Sequence, residues 1–119
     1  MTQYLDGFVF PIPRNRLSEY KRLATAVAEI WKEHGALAYR EYVGDDLSRE
    51  GTRSFTDAIA STDDEAIVFG FVTFESREAR DLANAKVAGD PRMVELVDNS
   101  GAGFDAERMA YGGFESIVG

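Results

Sequence analysis

The unbroken apolar segment Ile67–Phe74 constrains the fold of this chain more than any other part of its sequence. The turn-forming residues Ser61–Asp64 precede it, and Ser76 follows it closely. A short apolar segment bounded by turn residues is typical of a strand that is buried on both faces. It therefore predicts a strand at the centre of a sheet.

Residue spacing predicts the other elements. Alternating apolar positions indicate three further strands, over residues 4–12, 36–43 and 108–118. Three- and four-residue spacing indicates a helix over about 16–34. We expect Asn15 to cap this helix and Gly35 to end it. A second helix follows Ser76 and ends at Gly89, and a short third one starts at Asp90-Pro91. Residues 55–60 fit either a short strand or a single helical turn.

The predicted element order is β-α-β-β-α-β in one domain that spans residues 1–119. Two β-α-β units with right-handed crossovers interleave into one antiparallel sheet and place both long helices on the same face. The sequence thus predicts an α+β, ferredoxin-like fold with a four-stranded antiparallel sheet.

This topology leaves the second face of the sheet without helices, although its residues are apolar. Strand spacing and rise give that face an area of roughly 400 Å². Covering it in two copies contributes on the order of 10 kcal/mol or more. We therefore expect a homodimer joined through sheet faces or edges. The alternative is that the C-terminal tail or the 44–54 loop folds over the sheet.

Charge and composition narrow the partners further. The net charge is −8, and we find no cluster of Lys and Arg, so we expect neither nucleic acid nor a membrane as a partner. The sequence shows no signal peptide and no transmembrane segment, which predicts a cytoplasmic protein. There is no cysteine and one histidine, and no phosphate-binding or paired-histidine motif is present, so we expect no metal and no cofactor.

Three side chains are candidate catalytic groups: Glu41, Asp6 and His34. Asp6 and Glu41 are carboxylates within otherwise apolar strands. Either one pairs with an arginine, or it faces a pocket as a general base whose pKa the surrounding aromatic residues raise. His34 stands at the predicted end of the first helix, where a histidine interacts favourably with the helix terminus or acts as an alternative base.

Aromatic and cationic residues are candidates for ligand binding. The aromatic residues can form an apolar pocket between sheet and helices or simply fill the core, and an arginine can hold an anionic oxygen. The candidate ligand-binding residues are Tyr4, Trp31, Tyr39, Arg40, Arg108 and Tyr111. By contrast, the charged segment 76–81 is explained by a helix cap followed by a solvated helix face, and 90–93 by capping with Arg92 solvated or paired locally.

Five segments together resemble one protein family, DUF1428. They are 4–8, 33–37, 76–81, 90–93 and 104–114, which ends in Tyr-Gly-Gly-Phe. The resemblance covers nearly the whole chain in order. It implies the dimeric α/β-barrel superfamily, in which ferredoxin-like subunits pair through their sheets. It transfers no catalytic residues, and Gly70-Phe71 stands where many members carry Ser-Trp.

Two functions fit these observations. The first is a protein that binds or converts a small apolar or aromatic carbonyl compound without a cofactor. The second is a non-catalytic dimeric module that regulates or binds another protein. A fold alone does not decide between them.

Overall fold

Four strands form a single antiparallel sheet in the computed structural model, which describes residues 3–98 and 103–119. They are β1 (Tyr4–Pro13), β2 (Ala38–Val43), β3 (Glu65–Phe74) and β4 (Ala110–Glu115). The spatial order is β2-β3-β1-β4, and all three pairings are antiparallel. The predicted ferredoxin-like α+β fold is confirmed.

Within the described residues, four α-helices connect and cover the strands. They are α1 (Leu17–Glu33), α2 (Phe55–Ile59), α3 (Arg77–Ala88) and α4 (Pro91–Asp98). Residues 55–60, which were ambiguous in the sequence, thus form a helical turn, and the side chain of Ser54 caps it by accepting from the Asp57 amide at 3.1 Å. Two 3₁₀ turns, at Arg14–Arg16 and Ala106–Arg108, precede α1 and β4.

The ends of the helices follow the sequence with one exception. Asn15 does not cap α1, because it lies inside the 3₁₀ turn that joins β1 to this helix. Gly35 ends the helix with a φ of +116°, a conformation that glycine adopts without strain. Ser76 accepts from the Ala79 amide at 3.1 Å, and Asp90 accepts from the Arg92 amide at 2.9 Å, as predicted.

Alternate residues of the sheet define a helix face and an open face. On β1 the helix face carries Phe10 and Ile12, neither of which has any accessible surface. Their neighbours on β3 are Val68 and Ala66, and the register places all even-numbered residues of both strands on this side. The hydrophobic core therefore lies between the central strands and the helices.

The open face is covered at one end only. Helix α2 packs against β1, and Phe55 contacts Phe69 edge-on with ring centroids 6.1 Å apart. Ile67 is buried there, but Phe69 itself is 44% exposed. The expectation that Ile67–Phe74 is buried on both faces is wrong for the subunit taken alone, because no element covers the rest of this face among the residues described.

The last strand is shorter than predicted. It begins at Ala110, so Arg108 belongs to the preceding 3₁₀ turn and is not a cation within a strand. It ends at Glu115, and Ile117 and Val118 beyond it are almost fully exposed. The predicted strand was too long because these apolar residues continue the pattern although they pair with no neighbouring strand.

A membrane-spanning helix is not found within the described ranges 3–98 and 103–119.

Candidate functional site

An apolar cavity of about 210 Å³ lies between the helix face of the sheet and helices α1 and α4. Its walls also include Phe104 and Met109, which lead into β4. The remaining lining residues come from the sheet and the two helices: Phe8, Tyr20, Leu23, Ala24, Val27, Trp31, Tyr39, Val72, Met93, Val97 and Tyr111. An apolar enclosure with a few polar groups is the usual form of a small-molecule site.

Local sequence positions these walls. Leu23, Val27 and Trp31 recur at four-residue spacing, so they lie on one face of α1 and point at the sheet. Phe8 lies over Gly70, where a Cβ atom would collide with its ring and would lie 2.9 Å from Glu41 Cγ. The glycine in β3 therefore makes room for both Phe8 and Glu41.

Glu41 is the centre of a cluster with two tyrosines. Tyr39 donates its hydroxyl hydrogen to Glu41 Oε2 at 2.9 Å. Tyr20, from α1, donates to Glu41 Oε1. Both oxygens of one half-buried carboxylate thus accept from phenols. Among the ion pairs of the described residues, none involves Glu41.

Burial governs the protonation of this cluster. Burial raises the pKa of Glu41, and the hydrogen bonds from Tyr20 and Tyr39 offset only part of that rise. Burial raises the pKa of both tyrosines as well, and the neighbouring Glu41 charge raises it further. The phenols therefore keep their hydrogens, and Glu41 is the group in this cluster that exchanges a proton.

Asp6 is the centre of a second cluster, and a cation neutralises it. The side chain is 1% exposed, and its Oδ1 accepts from Arg80 Nη1 at 2.8 Å. Its Oδ2 accepts from the Tyr111 hydroxyl at 2.7 Å. The Arg80 guanidinium also lies 4.8 Å from the centroid of the Tyr4 ring. This is the arginine pair that the sequence left open as one alternative for Asp6.

An outer groove of about 440 Å³ lies on the other side of the Glu41 cluster, along the β2 edge. Glu41 lines it, together with Lys21 and Thr25 of α1. Tyr20, Ala24 and Tyr39 line both the groove and the inner cavity. The two phenol side chains therefore form the wall between the cavity and the groove, and Glu41 lies in that wall.

Of the nine candidate residues, the structure brings six to the cavity or to the two carboxylate clusters. Trp31, Tyr39 and Tyr111 line the cavity, Tyr39 and Tyr111 contact the carboxylates Glu41 and Asp6, and Tyr4 packs on Arg80.

The other three candidates lie elsewhere. His34, at the end of α1, hydrogen-bonds Asp90 through Nε2 at 2.9 Å. Arg40 is exposed, and the register places it on the open face beside Phe71. Arg108 pairs with Glu65, with Nη2 donating to Oε1 at 3.0 Å. None of these three is among the cavity-lining residues of the described chain.

Sequence reasoning missed two residues of the site. Tyr20 was interpreted as one more apolar position on α1, and nothing in the helical spacing indicates that its hydroxyl reaches Glu41. Arg80 was assigned to a solvated helix face, but it turns inward and its side chain is 18% exposed. A buried Asp6 requires a cation, and that requirement was the signal that could have identified Arg80.

The described residues contain no group of three or more His, Asp and Glu side chains that could hold a metal ion.

Comparison with known proteins identifies relatives along the whole chain. The family model "Protein of unknown function (DUF1428)" matches residues 3–106. The uncharacterized protein YbaA of Escherichia coli strain K12 is 38% identical over 116 residues, which cover 98% of this chain and 97% of YbaA.

Several solved structures share the fold at low identity. SnoaB, a cofactor-independent oxygenase from Streptomyces nogalater, matches with a TM-score of 0.58 and 12% identity, covering 98% of this chain and 95% of SnoaB. A Streptomyces coelicolor monooxygenase in complex with nanaomycin D gives 0.58 and 15%, covering 99% and 90%. A NIPSNAP family protein of Agrobacterium tumefaciens gives 0.59 and 13%, covering 96% and 87%.

These structures agree with the ferredoxin-like sheet, and the sequence matches decide the family. The chain belongs to the DUF1428 family.

Proposed function

We propose that this protein binds a small aromatic carbonyl compound in the inner cavity and that Glu41 can take a proton from it through Tyr39. The observation that carries the proposal is an aromatic cavity whose wall contains two phenols bonded to a carboxylate. Apolar walls favour an aromatic ligand, and the few polar groups fix its orientation.

The volume limits the ligand to one or two rings. Pockets for drug-sized molecules range from about 300 to 1,000 Å³, and this cavity of about 210 Å³ is smaller. Phe8 and Tyr111 provide a flat surface for a ring, because their planes are only 12° apart and their centroids are separated by 6.2 Å. We therefore choose 1-tetralone, a bicyclic aromatic ketone, as the probe.

Glu41 is the base that we retain from the three candidates. Arg80 and Tyr111 already donate to the two oxygens of Asp6, which is almost fully buried, so neither oxygen is left for a ligand proton. His34 lies outside the cavity, paired with Asp90. Glu41 is desolvated, and its raised pKa brings it closer to the range in which a carboxylate accepts a proton efficiently.

The proton moves in two linked transfers. Tyr39 accepts a proton from the ligand while its own hydroxyl hydrogen passes to Glu41 Oε2. The ligand becomes its enolate, Tyr39 regains a neutral phenol, and Glu41 becomes a carboxylic acid. The reverse transfer regenerates the ketone, so no cofactor enters. The fold shared with a cofactor-independent oxygenase is compatible with such chemistry.

Binding is tested with the single tryptophan, Trp31, which lines the cavity. Titration with 1-tetralone is expected to quench its fluorescence and to raise the melting temperature. Ala24→Phe fills the cavity and is expected to abolish both effects. Ala85→Phe places the same side chain on the exposed surface of α3 and is the matched control. Unchanged Trp31 fluorescence and an unchanged melting temperature at high 1-tetralone concentration would contradict the proposal.

Proton abstraction is tested by hydrogen exchange. In D₂O, the protein is expected to accelerate the loss of the C2 proton signal of 1-tetralone in NMR spectra. Glu41→Gln is expected to lower the protein-dependent rate at least tenfold. Binding without accelerated exchange would favour the non-catalytic function instead.

We further propose that the protein is a homodimer joined through its open sheet face. The accessible surface is 7974 Å², whereas a folded monomer of this mass exposes about 6,400 Å². The excess of roughly 1,600 Å² is about twice the roughly 800 Å² that one partner loses in a standard interface, so one subunit has enough surplus surface to form one. Three aromatic side chains on the open face contribute to it: Tyr42, Phe69 and Phe114.

Light scattering after size-exclusion chromatography tests the assembly. We expect about twice the mass of the 13.2 kDa chain. Phe69→Ser is expected to shift the protein toward monomer. Leu82→Ser removes a comparably exposed apolar side chain from α3 and is expected to leave the dimer intact. A wild-type monomer at micromolar concentration would contradict the proposal.

A further inference from the structure

The three tyrosines that line the cavity all direct their hydroxyl hydrogens away from a ligand. Tyr20 and Tyr39 donate to Glu41, and Tyr111 donates to Asp6. Each phenol has one hydrogen to donate and an oxygen that also accepts. What these hydroxyls can still offer a ligand is therefore the lone pairs of their oxygens.

The direction of each hydrogen bond follows from the charges. Asp6 accepts a hydrogen from the Arg80 guanidinium on Oδ1, and the Tyr111 hydroxyl donates to its Oδ2. Glu41 accepts from two phenols on its two oxygens, which is the arrangement of an ionised carboxylate.

Tyr39 is the strongest acceptor of the three. A hydroxyl that donates to an anion becomes a better acceptor, because hydrogen bonds in a chain polarise one another. Glu41 has no cation beside it among the ion pairs of the described residues, whereas Arg80 offsets the charge of Asp6 behind Tyr111. Tyr20 shares Glu41, but its ring is packed against Phe10 and Phe104 and is nearly fully buried.

We propose that the cavity selects aromatic carbonyl compounds that carry a phenol or enol hydroxyl, and that this hydroxyl donates to the oxygen of Tyr39. The proposal rests on the proposed function, since it presumes that an aromatic carbonyl compound occupies the cavity. A hydroxy compound bound in this way occupies the Tyr39 oxygen that accepts the proton in the proposed transfer, so the comparison below measures binding and not exchange. It narrows that class by requiring a hydrogen-bond donor. A methyl ether in the same place has no hydrogen to donate, so the lone pairs of the Tyr39 oxygen receive no hydrogen bond from the ligand.

The test compares 6-hydroxy-1-tetralone with 6-methoxy-1-tetralone by titration calorimetry. A hydrogen bond to a charge-coupled acceptor is expected to make the hydroxy compound bind about tenfold more tightly. Tyr39→Phe retains the ring and removes the oxygen, so the ratio is expected to fall below about twofold. Tyr42→Phe makes the same change on the open face of the same strand and is expected to keep the tenfold ratio.

A second variant tests the origin of the preference. In Glu41→Gln, the amide donates to one of the two phenols, which releases that phenol's hydrogen toward the cavity. The hydroxy-to-methoxy ratio is then expected to fall, while 1-tetralone, which only accepts, is expected to bind more tightly than it does to the wild type. Melting temperatures of all variants confirm that each one is folded.

Two results separate this inference from the proposed function. Equal affinity of the wild type for 6-hydroxy-1-tetralone and 6-methoxy-1-tetralone overturns the inference and leaves the proposed function standing. An unchanged ratio of the two affinities in folded Tyr39→Phe has the same consequence. Failure of all three tetralones to bind overturns both.

Discussion

Asp6 and Glu41 are two carboxylates on the same face of one sheet, and their surroundings give them different chemistry. Asp6 is 1% exposed and has both a guanidinium and a phenol as partners. Glu41 is half-buried and has two phenols. A buried carboxylate that is paired with a cation contributes structure, whereas a desolvated one without a cation can change its protonation.

The largest difference in the free energy of unfolding is expected when one member of each cluster is replaced. Arg80→Met leaves Asp6 as an uncompensated buried charge and is expected to cost about 3 kcal/mol in the free energy of unfolding. Glu41→Gln removes a charge that has no cation and is expected to cost about 1 kcal/mol or less. Urea denaturation measures both. Arg77→Met, on the exposed start of α3, is the control. Equal losses for the Arg80 and Glu41 variants would break the comparison.

Gly70 sharpens the comparison, because a side chain there would meet Phe8 and Glu41 but not Asp6. In Gly70→Ala, the new methyl group collides with the Phe8 ring and approaches Glu41 Cγ to 2.9 Å. Overpacking of this kind is expected to cost about 1–3 kcal/mol and to weaken tetralone binding. Gly89→Ala, whose methyl group meets only backbone oxygens at 3.5 Å or more, is expected to be nearly neutral. Unimpaired tetralone binding by Gly70→Ala would show that the packing around Glu41 does not affect the ligand site.

The pH dependence of stability distinguishes the two carboxylates without a ligand. Because the pKa of Glu41 is raised in the folded state, its contribution to stability is complete below its usual value of 4.5 and is lost as the pH rises through the folded pKa. Glu41→Gln removes this dependence, so its stability relative to wild type is expected to improve from pH 4 toward neutral pH. Urea denaturation across this range measures the trend. The opposite trend would mean that Glu41 is stabilised as an anion.

The smallest effect is expected at His34, the candidate that lies outside both clusters. His34→Gln retains a polar group beside Asp90, in a part-buried contact outside the cavity. It is expected to change the unfolding free energy by about 0.5 kcal/mol or less and the affinity for 1-tetralone by less than twofold. A large loss of affinity, measured by Trp31 fluorescence, would place the ligand at the end of α1 instead.

The sequence predicted the fold well because the fold depends on patterns that are local. Alternation gave β1, four-residue spacing gave α1, and the cap residues Ser76 and Asp90 gave the starts of α3 and α4. The predictions for Asn15 as a cap and for the end of β4 were wrong, because tertiary context competes with local preference at both places. At Asn15 the chain enters α1 through a 3₁₀ turn, and after Glu115 β4 has no further residues paired with β1.

The site was predictable only in part, because its contacts join distant segments. Glu41 and Asp6 stood out as carboxylates among apolar residues, and the requirement for a partner followed from burial alone. Which partner each would obtain did not follow. Tyr20 lies 21 positions from Glu41, and Arg80 lies 74 positions from Asp6. Helical spacing describes the face on which a side chain lies, but it does not identify what that side chain meets across the core.

The hydrogen bond between Asp6 and Tyr111 joins residues 105 positions apart, and β1 pairs with both β3 and β4. The sheet is therefore complete only after β4 has paired with β1. The cavity wall at Tyr111 forms in the same step. Chains dominated by such non-local pairings fold more slowly than helical bundles of the same length. During synthesis, this edge of β1 must consequently remain unpaired until residues 110–115 have left the ribosome.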